Sequence, residues 1–531
     1  MTHPVGYSPE RYWNEFEVRD ADLDFIVNLL LERERPLTTN EMALALVEHR
    51  LEVLEQEASE AEDPSTQVYV PKEEYKVGEK LLFTAIGNIT GTVVGIRPGE
   101  NPELGQFDVV QVEFEGDGRT REFAARLEVH SLNEPPESQA DGDSTDTPME
   151  ILSTYGLRIE DRLTNRFDLV DDIVQIAGRW FPKALLVDFH EGHLNLAEAV
   201  LDVAGGGPAP TAELLEHIES VPDIDPLLAE FSLDYALQED DRFDEVGPAG
   251  EVLWHLRRLS PPEVLFIPPR LQYDPILYDR STLSETLFTL EQKLDDELSP
   301  IASLGETADE VVIPLLFPHW RVGALPLSTK LSPMFPTAYE APRIRFILVD
   351  GHSGEKFPGW VVRKHRYVFG LDEWYRKYEV PAGGLVKIRK GETPGEVIVE
   401  AIDRRRRNDW IRTISIGEGG RIGFTMLKQP VGTAYDDLMV VGLIDPIALD
   451  EAWLRGSQKT MPFDRLVAHV FRELAKLNPQ SAVHAQSLYS GVNVIRRSPP
   501  APIFAELISQ PYYLHVGDLY WRFDESAWSQ P

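Results

Sequence analysis

Cysteine is absent from the 531 residues, which excludes disulfides, thiol nucleophiles and thiolate metal sites. Long apolar runs are missing too. None approaches the roughly 20 residues that cross a bilayer, so no membrane partner is expected. The opening MTHPVGYSPERYWNEFEVRD lacks the apolar core of a signal peptide, and a cytoplasmic location is the expectation. Enzyme signatures are equally scarce, with no Walker loop and no Gly-x-Ser-x-Gly elbow. Gly417-Glu418-Gly419-Gly420-Arg421-Ile422-Gly423 falls between two β-like runs and reads as a turn, not a dinucleotide fingerprint. His190-Glu191-Gly192-His193 spaces its imidazoles three apart, without the four-residue spacing of zinc-peptidase helices, and reads as a polar turn before a helix. No catalytic residue, cofactor or metal site is expected.

Positive charge is scarce, and where it occurs is informative. The formal net charge is −38, yet residues 341–430 hold 18 Lys/Arg against 11 Asp/Glu, while the remainder holds 33 against 78. A basic island in an acidic chain marks a site for an anionic partner or for one of the chain's own acidic parts.

Length calls for about three to five domains, and the pattern along the chain predicts an α+β multi-domain protein combining winged helices with small antiparallel β-barrels. Residues 1–66 are helical. Leu23, Ile26, Val27, Leu30 and Leu31 share a face, and Pro36-Leu37-Thr38-Thr39 breaks the helix, with Thr39 capping a second. That is the first half of a winged helix, with no wing following it. Residues 67–132 switch to short β-branched runs divided by Gly87-Asn88, Pro98-Gly99 and Gly116-Asp117-Gly118, a small barrel. Val77-Gly78-Glu79-Lys80-Leu81 followed by Gly91-Thr92-Val93-Val94-Gly95-Ile96 resembles Tudor and KOW barrels, which implies protein or RNA binding. Residues 133–150 form an acidic linker. Its Asp141-Gly142-Asp143 lacks the other ligands of a calcium loop.

Residues 151–258 carry the most specific pattern. Leu194, Ala197, Val200 and Leu201 give an amphipathic helix ended by Gly205-Gly206-Gly207-Pro208. Thr211 is placed to cap a second helix, Leu227 to Leu237 make a third, and Phe243 to Trp254 flank a Gly-Pro-Ala-Gly turn as a wing. Residues 180–258 resemble the HARE-HTH type of winged helix, whose relatives include the acidic delta subunit of bacterial RNA polymerase. The resemblance implies a link to transcription or DNA processing, with RNA polymerase or another basic protein as a partner. Residues 259–340 connect to a basic β-barrel at 341–458, and residues 459–531 repeat the three helices and hairpin as a second winged helix.

Cations interleaved with aromatics suit phosphates and unpaired bases. The candidates for contact with DNA or RNA are therefore Arg363, Lys364, Arg366, Trp374, Tyr375, Arg376, Lys377, Lys387, Arg389 and Arg404, Arg405, Arg406 and Arg407. The run Leu371 to Lys390 also resembles plant-type pseudobarrel DNA-binding domains. Residues 219–256 hold one cation, Arg242, among eleven acids. A recognition helix so charged is repelled by phosphate, so Asp234, Glu239, Asp240 and Asp241 are candidates for a basic partner or for the chain's own island. Three readings stay open: a non-enzymatic transcription- or DNA-associated regulator or adaptor, a pure interaction scaffold, and an enzyme of an unrecognised kind using 259–457.

Overall fold

Three stretches of the chain adopt one order of elements: helix, short strand, helix, helix and a two-stranded hairpin. The computed structural model describes residues 9–61, 66–83, 89–101, 106–114, 120–128, 130–133, 147–218, 224–301, 308–455 and 460–528. It divides the chain into two compact units, residues 1–186 and 187–531. The architecture mixes α and β elements in several separate sheets.

In the first unit, α1 (Asp20–Arg33), β1 (Leu37–Thr38) and α2 (Thr39–Ala61) precede an inserted sheet of β2 (Thr66–Val68), β3 (Lys80–Phe83), β4 (Ile89–Pro98), β5 (Asp108–Phe114) and β6 (Thr120–Ala125). After it come α3 (Pro148–Phe167), β7 (Ile173–Ile176) and β8 (Arg179–Pro182), and β1 pairs with β8, which pairs with β7. The missing hairpin therefore exists, displaced by the insertion. Residues 148–182 complete the N-terminal stretch and do not belong with the helices after 190. One core holds them together: Ile26, Leu30, Met42 and Leu46 from α1 and α2 pack with Ile159, Leu163 and Phe167 of α3 and Trp180 of β8. The inserted strands lie in sequence order, with Leu81, Phe83, Val93, Val110, Val112 and Phe114 packed as their own core. The expected turns at Gly87-Asn88 and Gly116-Asp117-Gly118, most of the 133–150 linker including Asp141-Gly142-Asp143, and Glu219 and Asp223 lie outside the described residues.

The second unit opens with α4 (Glu191–Val203), β9 (Ala209–Pro210), α5 (Thr211–Leu215), α6 (Pro226–Gln238), β10 (Phe243–Glu245) and β11 (Leu253–Leu256). Then follow α7 (Glu285–Leu294), β12 (Glu310–Pro314), α8 (Phe317–Val322), β13 (Ala324–Pro326), β14 (Arg343–Asp350), β15 (Lys356–Val362), β16 (Tyr367–Phe369), α9 (Asp372–Lys377), β17 (Leu385–Lys390) and β18 (Glu396–Ala401). The seven strands form one open sheet in the order β12-β17-β18-β14-β15-β16-β13. It begins at Glu310 rather than near 341, and its end strands β12 and β13 do not pair with each other among the described residues, so the barrel expected there is a partial one that does not close. A long hairpin, β19 (Asp403–Ile416) and β20 (Ile422–Thr433), pairs with β21 (Gly442–Leu443) as a separate sheet, followed by α10 (Pro446–Arg455). The chain closes with α11 (Phe463–Ala475), β22 (Ala482–His484), α12 (Ala485–Ile495), α13 (Pro500–Ser509), β23 (Tyr513–Gly517) and β24 (Tyr520–Phe523). These match the helices and hairpin expected there.

The three stretches share one strand pairing, and two of them agree down to a single hydrogen bond. A tryptophan on each last strand faces the short strand: Trp180 opposite Leu37, Trp254 opposite Ala209, Trp521 opposite Val483. Two residues beyond each partner stand Thr39, Thr211 and Ala485. Trp180 donates to the Thr39 hydroxyl at 3.0 Å and Trp254 to that of Thr211 at 3.1 Å. A buried indole N–H needs such an acceptor. In the third copy alanine replaces the threonine, and the buried Trp521 Nε1 has no partner among the described residues. The threonines expected as caps thus serve the core. Thr38 caps α2 instead, in a reciprocal box with Glu41.

Candidate nucleic-acid interface

The β19–β20 hairpin turns at Gly417–Arg421, where Gly419 and Gly420 take φ of 73° and 74°. Left-handed backbone favours glycine, so the glycine-rich run is the turn its sequence suggests. Ile411, Thr413, Ile414, Ile422 and Phe424 are buried, while Trp410, next to Ile411, is turned outward. Register sets Arg407 opposite Val431 and Trp410 opposite Lys428, and between Asp403 and Arg407 the pairing slips. Arg404, Arg405 and Arg406 therefore bulge from the ladder.

Arg405, Arg406 and Arg407 are exposed, and Trp410 keeps 64% of its surface open. Asp409 gathers Arg404 at 3.1 Å, Arg407 at 2.8 Å and the Tyr435 hydroxyl at 3.2 Å. Burial and the Asp409 carboxylate push the Tyr435 phenol up to about 12. Arg406 meets Glu379 at 3.2 Å, while Arg405 has no carboxylate partner among the described residues. The exposed Arg406–Glu379 pair is worth about 0–1 kcal/mol, too little to withhold the Arg406 guanidinium from a phosphate.

The other expected cations are dispersed. Lys364 and Arg366 are exposed beside the turn that follows β15, and Arg363 donates to the Ala341 carbonyl at 2.8 Å. Arg376 pairs with Asp372. Lys377 lies 2.8 Å from Glu355 and 2.9 Å from Asp350, and these two carboxylates hold its ammonium above the ordinary lysine range. Lys387 pairs with Glu400 at 3.0 Å, and Arg389 is half-buried opposite Glu310. Trp374 and Tyr375 are corrections: each is 3% exposed in the core of the seven-stranded sheet. Tyr375 spends its hydroxyl on the Ala324 carbonyl. The helical turn of α9 sends these two rings inward and Arg376 and Lys377 outward, so neither ring can stack on a base. The exposed aromatic beside the arginines is Trp410, whose alternation with Arg406 and Asn408 along a strand was the available signal.

The same hairpin contributes a second basic feature, at its opposite end. A cleft of about 1060 Å³ opens between the Gly417–Arg421 turn and α11, lined by Arg421, Arg465, Arg472 and Lys476 with Phe523 and Trp528. Arg472 pairs with Glu525 and Lys476 with Glu473. Arg421 and Arg465 have no carboxylate partner among the described residues.

The acidic candidates divide in the same way. Asp234 is a correction: it is 6% exposed and accepts hydrogen bonds from the Thr211 hydroxyl and from Trp254 Nε1, the latter at 2.8 Å. Burial pushes its carboxyl up to about 7, so it belongs to the core and offers no contact surface. Asp240 is clasped by Arg242, which also reaches Glu198 at 2.8 Å. Glu239 and Asp241 are exposed. Nearby, Asp244 of β10 pairs with Arg343 of β14 at 2.7 Å, and Val246 packs with Val264, Trp360 and Tyr367. Part of the basic island is thus used internally, through the hairpin rather than the third helix.

One constellation had no sequence signal because Arg497 and its carboxylate partners are about 200 residues apart. Arg497, fully buried, donates to Asp296 at 2.6 Å and to Glu297 at 2.7 Å. Glu297 also meets His319 at 3.0 Å, and the Tyr489 hydroxyl donates to Asp296 at 2.5 Å. Burial alone would raise the Glu297 carboxyl, but Arg497 and His319 overcome it and hold the group well below the carboxylate range. The arrangement locks α12 and the residues after it to the segment following α7. His190, finally, caps α4 by accepting from the Gly192 amide at 3.1 Å and stacks on His193. No group of His, Asp or Glu among the described residues is arranged to hold a metal. No protein-family model, curated protein or solved structure matches the chain.

Proposed function

We propose that this chain is a non-enzymatic, transcription- or DNA-associated adaptor built on three winged helices. The two C-terminal copies and the interrupted N-terminal one share one order of helices and one pairing of a short strand with the hairpin, which supports the winged-helix reading, and the sequence resemblance of residues 180–258 to the HARE-HTH type supports the link to transcription. Nucleic acid binds along the β19–β20 hairpin, and the acidic copy contacts protein. The observation that carries this reading is the exposed Trp410 opposite Lys428, on the strand that also carries the exposed Arg405, Arg406 and Arg407. A stacking ring flanked by cations on a two-stranded ribbon suits single strands or groove phosphates. Fluorescence anisotropy of labelled single-stranded and duplex DNA and RNA with the full chain tests it, comparing wild type with Trp410→Ala and with Arg405→Ala/Arg407→Ala. A second reading, a scaffold without nucleic acid, draws on the carboxylates that face Arg404, Arg406 and Arg407. It predicts no binding at low salt.

A further inference from the structure

Resting on the reading of the acidic copy as the protein-contacting part, we propose that a groove lined from residues 187–193, 212–216 and 224–230 docks a cationic, amphipathic helix of a partner protein. The groove encloses about 350 Å³ between α5, the start of α6 and the segment that leads into α4. Phe189, Leu215 and Ala229 supply an apolar floor, and Asp188, Glu216 and Glu230 supply carboxylates around it. No Lys or Arg among the described residues lines it.

Charge complementarity sets the occupant's sign. Residues 187–256 carry 17 Asp/Glu and one Lys/Arg, and that one, Arg242, is held by Asp240 and Glu198. A phosphate chain is repelled by such a field, while a chain of lysines or arginines is drawn in. The apolar floor adds a second requirement, since charge alone would leave it wet. An amphipathic helix meets both by laying its apolar face into the groove and its cations on the rim. His193 gives a polar marker at the same place. Its ring is stacked 3.7 Å from His190 and lies edge-on to Phe189, and its Nδ1 is shielded without a hydrogen-bond partner among the described residues. This groove is distinct from Glu239 and Asp241, which sit at the other end of α6.

The test uses the full chain and two fluorescein-labelled Lys/Leu peptides of identical composition. One places leucine at i, i+3, i+4 and i+7, and the other is scrambled. The groove predicts that the patterned peptide binds about tenfold or more tighter. It also predicts that Ala212→Lys/Glu216→Lys, at exposed positions of α5 and just after it, removes that preference. Glu239→Lys/Asp241→Lys should leave it intact. Equal binding of both peptides, or equal loss from the two double variants, overturns the groove and leaves the acidic-contact reading standing. Absence of binding by either peptide at low salt overturns both.

Discussion

Replacing Asp234 by asparagine should remove a pH dependence that the structure builds into residues 187–256. Asp234 accepts from Thr211 and Trp254 inside the core, and burial raises its carboxyl from 3.8 to about 7. The folded protein therefore keeps a proton that the unfolded chain releases. Its contribution is fully present below about pH 4 and is lost as pH rises through 7. The slope reaches about 1.4 kcal/mol per pH unit, or ~4 kcal/mol across the window. Glu245 adds a parallel loss, because burial, Glu340 and Asp234 raise its carboxyl to about 7, while Arg363 opposes the rise. Asparagine keeps the acceptor oxygen without the charge. Hydrogen exchange of α6 amides in the full chain, corrected for intrinsic rates, reads the local opening free energy. Wild type should lose protection between pH 5 and 8. Asp234→Asn should flatten part of that loss, and adding Glu245→Gln should flatten the rest. A wild-type profile independent of pH, or an Asp234→Asn chain less protected than wild type at pH 8, would refute the reasoning.

Two further outcomes follow from the packing. In the N-terminal copy, a double-mutant cycle of Trp180→Phe and Thr39→Val should give a coupling of about 1 kcal/mol in urea unfolding, because the indole donates to that hydroxyl. A coupling near zero would mean that the bond contributes nothing net. Arg497→Met leaves Asp296 and Glu297 buried without their cation, and should destabilise the 187–531 unit by about 3–5 kcal/mol, read as a lowered unfolding midpoint by circular dichroism. An unchanged midpoint would contradict the role assigned to this cluster.

Helical periodicity exposes the copies at 191–256 and 463–523, because in each the three helices and hairpin are contiguous. The N-terminal copy is half legible. Its core residues Ile26 and Leu30 announce an amphipathic helix, but the partners Ile159, Leu163 and Trp180 come after an inserted sheet, and local patterning cannot bridge that gap. The same limit hides Asp296, Glu297, His319 and Arg497. Among the candidate nucleic-acid residues, composition does not separate outward from inward side chains on α9. Trp374, Tyr375, Arg376 and Lys377 are adjacent in sequence, and a helix turns two of them into the core. The arginine run is legible as charge and Trp410 as its alternating neighbour on a strand, whereas the pairing of Trp410 with Lys428 comes only from the strand register. Asp234 looks like a surface residue in the sequence because acids rarely enter a core. Its burial depends on Thr211 and Trp254, both distant in sequence.

The most direct test of the adaptor reading is the salt dependence of nucleic-acid affinity for the full chain and for Arg405→Ala/Arg407→Ala. The reading predicts that log affinity falls linearly with log salt. The double variant should bind more weakly and have a slope shallower by about 0.7–0.9 for each phosphate it no longer neutralises. No binding at low salt, or the same slope in the variant, would contradict it.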